Sequence, residues 1–263
     1  MKQLLLFSVL SIFCLTISAQ TKTWIGPSGG YFSNAANWDP SGVPGSTNDV
    51  IIPTGSNLIL DGANIKSFDI QGNSQVNMTN TVNFTNNSSI ATNASFTWTA
   101  GYFQGTGTLN NNGSFTVVGA ENKYFGGPAK TLNNAGTLNF PTGFFLFIGD
   151  DSTLNNLATG VIDFQSDAYI GYGSTNNILN NAGLIKKSIG VNSTIEMTMI
   201  NTGTISVESG TLTLSTQEKT LSGGIYNLSL MFNKNTKLRH INKKEQKSGI
   251  RLLYTQRPRS RQH

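Results

Sequence analysis

Short stretches of alternating apolar and polar residues, each following an Asn/Gly corner, recur along the middle of the chain. In Leu138-Asn139-Phe140, for example, alternate side chains are apolar, which is typical of a strand with one buried face. Asn and Gly suit the corners because both tolerate positive φ at little steric cost. The corner glycines recur every 20 to 24 residues and are Gly113, Gly136, Gly160, Gly183 and Gly203. The stretches that carry them start at Leu109, Leu132, Leu154, Leu179 and Ile200.

A fixed period in this range indicates a repeat architecture in which each unit packs only on its neighbours. A unit of about 22 residues with two or three short strands cannot bury its apolar face alone. Stacking such units in parallel, ~4.8 Å apart, closes a continuous core. We therefore predict an all-β fold, a right-handed parallel β-helix (β-solenoid) with coils of about 20–25 residues. The alternative is a β-sandwich of similar hairpins, but the spacing follows a coil period rather than the pairing of adjacent strands.

The apolar pattern also predicts strands outside these repeats, over 65–70 and 82–84. In the aromatic run 144–147, the alternation favours Phe145 and Phe147 as core residues. We expect both side chains to face the interior of the solenoid.

Two longer connections, over 121–129 and 166–176, interrupt the array. The second is rich in glycine and contains Tyr169 and Tyr172. We interpret these tyrosines as exposed loop residues and as candidates for binding a ligand.

The N-terminus has the features of a secretory signal peptide. Lys2 precedes an apolar run over 4–17, and Ser18-Ala19-Gln20 follows, which predicts a signal peptide over 1–19. The run is too short for a good membrane span and no second one follows, so we expect no transmembrane segment in the mature chain. The single cysteine, Cys14, lies within this peptide, which leaves the mature chain without disulfides. We expect secretion, or a place on the outer surface of a bacterium.

Residues 20–60 form an N-terminal block with its own series of motifs. Trp24-Ile25-Gly26 is followed by Asn37-Trp38, a Gly-x-Pro ending at Pro44, and Val50-Ile51-Ile52-Pro53. This series, with the Leu-Asn-Asn-x-Gly repeats, resembles bacterial secreted surface-repeat and adhesin-like β-helix proteins. The resemblance covers residues 24–60 and 90–210. It implies a non-enzymatic surface protein and a C-terminal sorting or anchoring domain.

The aromatic residues of this block, Trp24, Tyr31, Phe32 and Trp38, have two interpretations. They would form a sugar-stacking platform if their rings were exposed, which makes Trp38 a candidate ligand-binding residue. Alternatively, they cap the end of the solenoid, where unpaired strand edges and apolar core must be covered. We favour the cap. The repeat region is then 61–232.

The basic charge of the sequence belongs to its C-terminal tail. Residues 21–232 carry seven lysines, no arginine and twelve acidic side chains, a net charge of −5, whereas residues 233–263 have a net charge of +9. In the tail, glycine nearly vanishes and the Asn/Gly corners stop. The tail is either a basic arm for nucleic acid or an anionic surface, or a non-native, disordered ending of a truncated array. We favour the second, and expect no nucleic-acid partner.

Residues 21–232 contain no His, Arg or Cys. A Ser-His-Asp or Cys-His site cannot be assembled without an imidazole base, and zinc sites are disfavoured for the same reason. Sugar hydrolysis by two carboxylates stays open. Its candidates are Asp150, Asp151, Asp163, Asp167, Glu196 and Glu208.

Asp150 and Asp151 follow Gly149 at a predicted strand end, where a turn could bring both carboxylates to one site. They are candidates for ligand or Ca²⁺ binding. The alternative is a solvated corner, which we favour. We predict no catalytic residue, no metal and no cofactor.

We therefore predict a non-enzymatic secreted or cell-surface repeat protein, adhesin-like or structural, that acts as a rigid display scaffold. Its candidate partners are a surface polysaccharide and a host or neighbouring cell surface. Uncovered strand edges also predict end-to-end self-association. The alternative is a carbohydrate-binding or carbohydrate-active β-helix protein of the hydrolase or lyase type.

Overall fold

The computed structural model describes residues 20–172, 176–215, 219–220, 224–228 and 250–253. Across these ranges the chain forms a β-solenoid of about eight turns of roughly 21 residues, which confirms the predicted all-β fold. Each complete coil contributes one strand to each of three sheets, here called A, B and C. Among the described residues the one helical segment is a 3-10 turn, Ala35–Asn37.

The strands of each sheet stack in coil order. Sheet A contains Thr21–Trp24, Trp38–Asp39, Asp49–Ile52, Ser67–Ile70, Ser88–Ile90, Thr108–Asn111, Thr131–Asn134, Thr153–Asn156, Ile178–Asn181, Thr198–Asn201 and Lys219–Thr220. Sheet B contains Gly30–Tyr31, Asn57–Leu60, Gln75–Met78, Ser95–Trp98, Ser114–Val117, Thr137–Phe140, Val161–Phe164, Leu184–Lys187, Thr204–Val207 and Ile225–Leu228. Sheet C contains Ala63–Ile65, Val82–Phe84, Tyr102–Gln104, Lys123–Phe125, Phe145–Ile148, Tyr169–Tyr172, Asn192–Glu196, Thr211–Leu214 and Ile250–Leu253.

Most strand pairs are parallel, as stacked coils require, and two described pairs are antiparallel. Trp38–Asp39 pairs with Thr21–Trp24 at the N-terminal end of sheet A. Ile250–Leu253 pairs with Thr211–Leu214 in sheet C. The second pair places a short strand inside the tail, which we predicted to be disordered. The strand forms there because Ile-x-Leu-Leu is a strand-forming pattern within the basic segment.

The inward side chains of the alternating strands form one continuous core. Leu109, Leu132, Leu154 and Leu179 occupy one register position in successive strands of sheet A, and each is at most 2% exposed. Residues 22 to 25 positions apart therefore lie directly above one another. This stacking confirms that the Asn/Gly corners mark successive coils and excludes the β-sandwich.

The predicted start of the fifth repeat is wrong by one residue. Ile200 pairs with Asn180 on the outer face of sheet A and is 41% exposed, whereas Met199 pairs with Leu179 and is buried. A shift of one residue moves a side chain to the opposite face of a strand. Met199 therefore begins the repeat. It lies as many residues before Gly203 as Leu109, Leu132 and Leu179 lie before their own corner glycines.

A column of buried asparagines ties the coils together at the corner between sheets A and B. Asn111, Asn134, Asn156, Asn181 and Asn201 are each at most 1% exposed. Each of the first four amides donates to Oδ1 of the asparagine in the next coil over 2.6–2.8 Å. Its other proton reaches a backbone carbonyl of sheet B over 2.9–3.4 Å. These bonds stabilise the stack, because a buried amide without hydrogen-bond partners costs free energy.

A second asparagine column lies on the partly exposed outer face of sheet A. Asn133 donates to Asn110 over 2.9 Å, Asn155 donates to Asn133 over 2.9 Å, and Asn180 donates to Asn155 over 2.8 Å. Each of these amides donates to the preceding coil, whereas the buried amides donate to the following one. The two columns therefore have opposite hydrogen-bond directions.

The aromatic residues of the N-terminal block mostly cover the end of the core. Trp24, Phe32 and Trp38 are at most 3% exposed, and the Trp38 ring makes edge-to-face contacts with the other two at centroid distances of 5.2 and 4.7 Å. Trp38 Nε1 also donates to the carbonyl of Phe32 over 2.8 Å. Tyr31 is different, with 55% of its surface exposed. The buried three support the capping interpretation.

Two sequence-based expectations about the third strand of each coil are wrong. Phe145 is 47% exposed and Phe147 is partly exposed, whereas Leu146 and Ile148 fill the core. The connections over 121–129 and 166–176 are not loops throughout, because each contains a strand of sheet C. Sheet C lacks the Leu-Asn-Asn signature of sheet A, so its strands are less visible in the sequence.

The predicted signal peptide over 1–19 lies outside the described residues, as does the tail except for its short strand. No helix within the described ranges is long and apolar enough to span a membrane. The predicted strand over 65–70 is present as two shorter strands that are separated at Lys66, and the one over 82–84 is confirmed.

Candidate aromatic binding face

Five aromatic side chains lie on the outer face of sheet C, over four successive coils. We call this set the aromatic strip, and its members are Tyr102, Tyr124, Phe145, Phe147 and Tyr169. Tyr102 and Phe145 are 46% and 47% exposed, and the other three are partly exposed. Clustered aromatic side chains on a soluble surface are characteristic of binding sites.

The strand register builds the strip in two columns. Tyr102 pairs with Tyr124, and Tyr124 pairs with Phe147, so these three stand above one another. Phe145 pairs with Tyr169 in the adjacent outward column. Because parallel strands are in register, each column runs along the solenoid axis at ~4.8 Å per coil.

Ring contacts restrain the strip in two groups, one of Tyr102 with Tyr124 and one of the other three rings with each other. Tyr102 and Tyr124 are edge-to-face at a centroid distance of 6.2 Å, whereas Phe145 and Phe147 are stacked at 6.0 Å. Tyr169 contacts both phenylalanines, at 4.8 and 6.3 Å. Such contacts restrain the rings before any ligand arrives.

Two of the tyrosine rings lie against glycine backbone. A Cβ atom at Gly171 would be 2.0 Å from Cε1 of Tyr169, and a Cβ atom at Gly126 would be 2.5 Å from Cε1 of Tyr124. In both cases the glycine follows its tyrosine by two residues, which places it on the same strand face. Covering a strand glycine with an aromatic ring is a known way to shield the exposed backbone. Here it also makes the rings lie across the sheet.

Carboxylates hold the hydroxyls of the same two tyrosines. Tyr169 Oη donates to Oε2 of Glu196 over 2.5 Å. Tyr124 forms a hydrogen bond with Asp150, and burial together with this carboxylate raises the pKa of Tyr124 to about 12. Both carboxylates come from the coil after their tyrosine, so each pair crosses a coil boundary. Each phenol is thereby held at both its ring and its hydroxyl.

The structure brings together some of the sequence-predicted candidates. Tyr169 lies in a strand rather than in the predicted loop, and it belongs to the strip. Asp150 and Asp151 occupy the predicted turn after strand Phe145–Ile148, both exposed and with φ of 53° and 60°. Asp150 reaches the strip through Tyr124. The backbone of Tyr172 pairs with Ile148, and its side chain lies outside the described set.

Trp38 does not join this face, and the structure contradicts its candidacy as a stacking residue. Its side chain is 1% exposed and its indole N–H is already bonded to Phe32. The burial follows from its place at the end of sheet A, where the antiparallel strand Trp38–Asp39 covers Thr21–Trp24. A sugar ring therefore has no access to it.

The lysines supply no unpaired ammonium group among the side chains described between residues 20 and 215. Lys66 and Lys186 pair with Asp49 and Asp163 over 2.8 and 3.2 Å. The others are buried and donate to backbone carbonyl oxygens: Lys22, Lys123, Lys130 and Lys187. The described surface of the solenoid is therefore neutral to acidic.

Lys130 has the most perturbed environment. Its Nζ lies 3.3 Å from the centroid of Phe84 and donates to the carbonyl of Gln104 over 2.9 Å. Burial lowers the pKa of Lys130 to about 7. The amine lies in the interior and is fully buried, so it cannot contact a substrate on the outer surface. We assign it to the core and not to a catalytic site.

Among the remaining acidic candidates, Asp163 and Asp167 are engaged in local structure, whereas Glu208 is exposed. Asp163 accepts from Ser188 Oγ over 2.6 Å in addition to its pair with Lys186. Asp167 accepts from the backbone N–H groups of Val191 and Asn192 over 2.5 and 2.9 Å. Within the described ranges, no three Asp, Glu, His or Cys side chains converge as a metal site would require.

The comparisons with known proteins give no family for this chain: no protein-family model, no curated protein and no solved structure matches it.

Sequence analysis missed most of the aromatic strip. Tyr102 and Tyr124 lie outside the repeat motif, and the alternation in the sequence predicts Phe145 and Phe147 in the core. A usable signal was present, since Tyr-x-Gly occurs at both Tyr124 and Tyr169. In this pattern the tyrosine ring lies on the outer face of the strand and covers the backbone of the glycine two residues later.

Proposed function

We propose that this protein is a non-enzymatic, secreted or cell-surface repeat protein of adhesin-like type, a rigid scaffold that displays the aromatic strip. The observation that carries the proposal is the exposed aromatic strip on the outer face of sheet C, whose inner face packs into the filled core of the solenoid. Phe145 shows how the two features combine: its ring is half exposed while its neighbour Leu146 is 1% exposed.

The packing of the coils supports a rigid scaffold. Every described coil is joined to the next through parallel strand pairs in up to three sheets. The buried asparagine column adds side-chain hydrogen bonds between coils. Each unit packs only on its neighbours, so such an array is extended and its surfaces repeat at the coil spacing. These features suit a protein that presents a surface.

The chemistry of the surface supports binding rather than turnover. General acid–base catalysis needs a titratable group within hydrogen-bond reach of the substrate. Lys130 has a suitable pKa but lies in the core. The carboxylates nearest the strip, Asp150 and Glu196, are bonded to tyrosine hydroxyls and so act as supports for the rings.

A bead-adhesion assay tests the proposal. Beads coated with the full mature chain should adhere to bacterial or host cells, and beads coated with Phe145→Ser should adhere several-fold less. Ile25→Ser is the matched control, because Ile25 is an exposed apolar residue at 62% that lies outside the strip. Equal adhesion by all three proteins would contradict the proposal.

A carbohydrate-active enzyme is the second candidate, and one observation favours it. Two carboxylates, Asp150 and Glu196, flank an aromatic surface, and sugar hydrolysis requires only two carboxyl groups. Incubation of the full chain with plant and algal polysaccharides should release no reducing ends or unsaturated products. Turnover that is lost in both Asp150→Asn and Glu196→Gln would replace the scaffold proposal with this one.

A further inference from the structure

We propose that the aromatic strip binds an uncharged, extended polysaccharide whose chain runs parallel to the solenoid axis. The inference deepens the proposed function by naming the ligand class for the same face, and it rests on that function.

The orientation of the rings favours a sugar as the ligand. Tyr124 and Tyr169 lie across glycine backbone, so each tyrosine ring has one side against the sheet. Sugar rings have a face of C–H groups, and this face packs on an aromatic surface while the hydroxyls stay hydrated. Because the rings are already fixed by Asp150 and Glu196, little side-chain freedom is lost on binding.

The length and direction of the strip favour an extended chain. The column from Tyr102 through Tyr124 and Phe147 continues into the coil of Tyr169, three coil steps in all. At ~4.8 Å for each step the strip is about 14 Å long. It is also narrow, since it is only two outward positions wide. A surface with these proportions fits several consecutive sugar rings along the axis and is too long for one.

The charges favour an uncharged ligand. The lysines described between residues 20 and 215 are buried or paired, and residues 21–232 have a net charge of −5. Asp150 and Glu196 lie beside the strip, where they repel carboxylate, sulfate or phosphate groups. Nucleic-acid binding depends on Lys and Arg at the phosphates, and among the side chains described between residues 20 and 215 no unpaired Lys or Arg lies on this face. We therefore expect that acidic polysaccharides and nucleic acids do not bind to the strip.

The test is a binding assay with the full mature chain. Retention is measured on insoluble cellulose, mannan and β-1,3-glucan, and on polygalacturonate and single-stranded DNA as charged comparisons. We expect retention on at least one neutral polymer that is lost in Phe145→Ser, whereas any retention on the charged polymers comes from the basic tail, residues 233–263, and should be the same in that variant. The matching hexasaccharide should bind at least ~10-fold more tightly than the disaccharide, because only the longer chain spans the strip.

Single substitutions assign the site. Phe145→Ser and Tyr102→Ser each remove a half-exposed ring and should weaken hexasaccharide binding ~10-fold, the effect of losing a ring that anchors an interface. Val191→Ser, at a residue 64% exposed outside the strip, should bind as the unsubstituted protein does. Far-UV circular dichroism and urea midpoints confirm that each variant is folded.

Four outcomes would overturn the inference. They are no retention on any neutral polymer, retention on the charged polymers that is lost in Phe145→Ser, equal loss in Val191→Ser, and a dimer in sedimentation that Phe145→Ser dissolves. If cell adhesion still depends on Phe145 while no neutral polysaccharide competes, the ligand class is wrong and the scaffold function stands. If polysaccharide is cleaved, the scaffold function fails instead.

Discussion

The buried asparagine column allows a sharp test of what holds the coils together. In Asn156→Ala, the amide at the centre of the column is removed. Asn156 accepts from Asn134 over 2.8 Å and donates to Asn181 over 2.7 Å. It also donates to the carbonyls of Gly160 and Leu184 over 3.2 and 3.1 Å.

The Gly160 carbonyl keeps its bond from the Leu184 N–H, so the substitution leaves up to three polar groups in the interior without a partner. At about 1–1.5 kcal/mol for each, the free energy of unfolding should fall by about 3–4.5 kcal/mol. The alanine side chain fills less space than the amide, so no new packing offsets the loss.

Asn155→Ala is the matched control, because it deletes the same group one residue away. Asn155 makes the equivalent contacts in the outer column, with Asn133 and Asn180 over 2.9 and 2.8 Å, but it is partly exposed. Water can replace those contacts, so we expect a loss below about 1 kcal/mol.

Urea unfolding of the two variants, followed by tryptophan fluorescence and far-UV circular dichroism, measures the difference. The buried Trp24, Trp38 and Trp98 report on the N-terminal coils, and circular dichroism reports on the whole stack. Agreement between the two probes is needed, because repeat arrays do not always unfold in a single step. Losses that agree within about 0.5 kcal/mol would refute the argument that burial of the amide is what makes the inner column matter.

Three further predictions concern the core, a corner and the strip. Burial lowers the pKa of Lys130 to about 7, below its value in the unfolded chain, so the unfolded chain binds more protons between pH 7 and 10. Raising the pH through this range should therefore increase the free energy of unfolding by up to about 4 kcal/mol relative to Lys130→Met. Urea midpoints that change in parallel with pH in the two proteins would contradict this. Gly136→Ala places a Cβ atom 2.1 Å from a backbone oxygen of the preceding coil and should lower the free energy of unfolding by at least about 2 kcal/mol. In the control Gly45→Ala the new Cβ atom has no neighbour closer than 3.8 Å, and the loss should be below about 1 kcal/mol. Equal thermal midpoints of the two variants would be inconsistent with this close packing. Gly171→Ala should displace the Tyr169 ring and weaken hexasaccharide binding several-fold with little change in urea midpoint, and unchanged binding would show that the glycine has no part in orienting the ring.

Parts of the coil could be predicted because they depend on local chemistry. The alternation in Leu138-Asn139-Phe140 fixes which side chains face inward, and the Asn/Gly corners set where one strand ends. The constant spacing of Gly113 and Gly136 then implies that the coils stack. All three are properties of short segments, and the structure agrees with them.

Other features depend on which residues lie in the neighbouring coils. The outward position of Phe145 is not predictable from its own segment, because residues 144–148 are apolar throughout and their periodicity does not distinguish the two faces of the strand. Trp38 is buried because its ring packs on Trp24 and Phe32 at the end of sheet A, and these contacts form only when the strand Trp38–Asp39 folds back on Thr21–Trp24.

The sequence by itself therefore determined the all-β solenoid, its period and the lack of His, Arg and Cys in residues 21–232. Only the tertiary structure decided that Tyr102, Tyr124, Phe147 and Tyr169 form one face and that Asp150 and Glu196 support it. The physical reason is that these residues are about 22 positions apart along the chain, while the register of parallel strands brings them within one or two coil spacings.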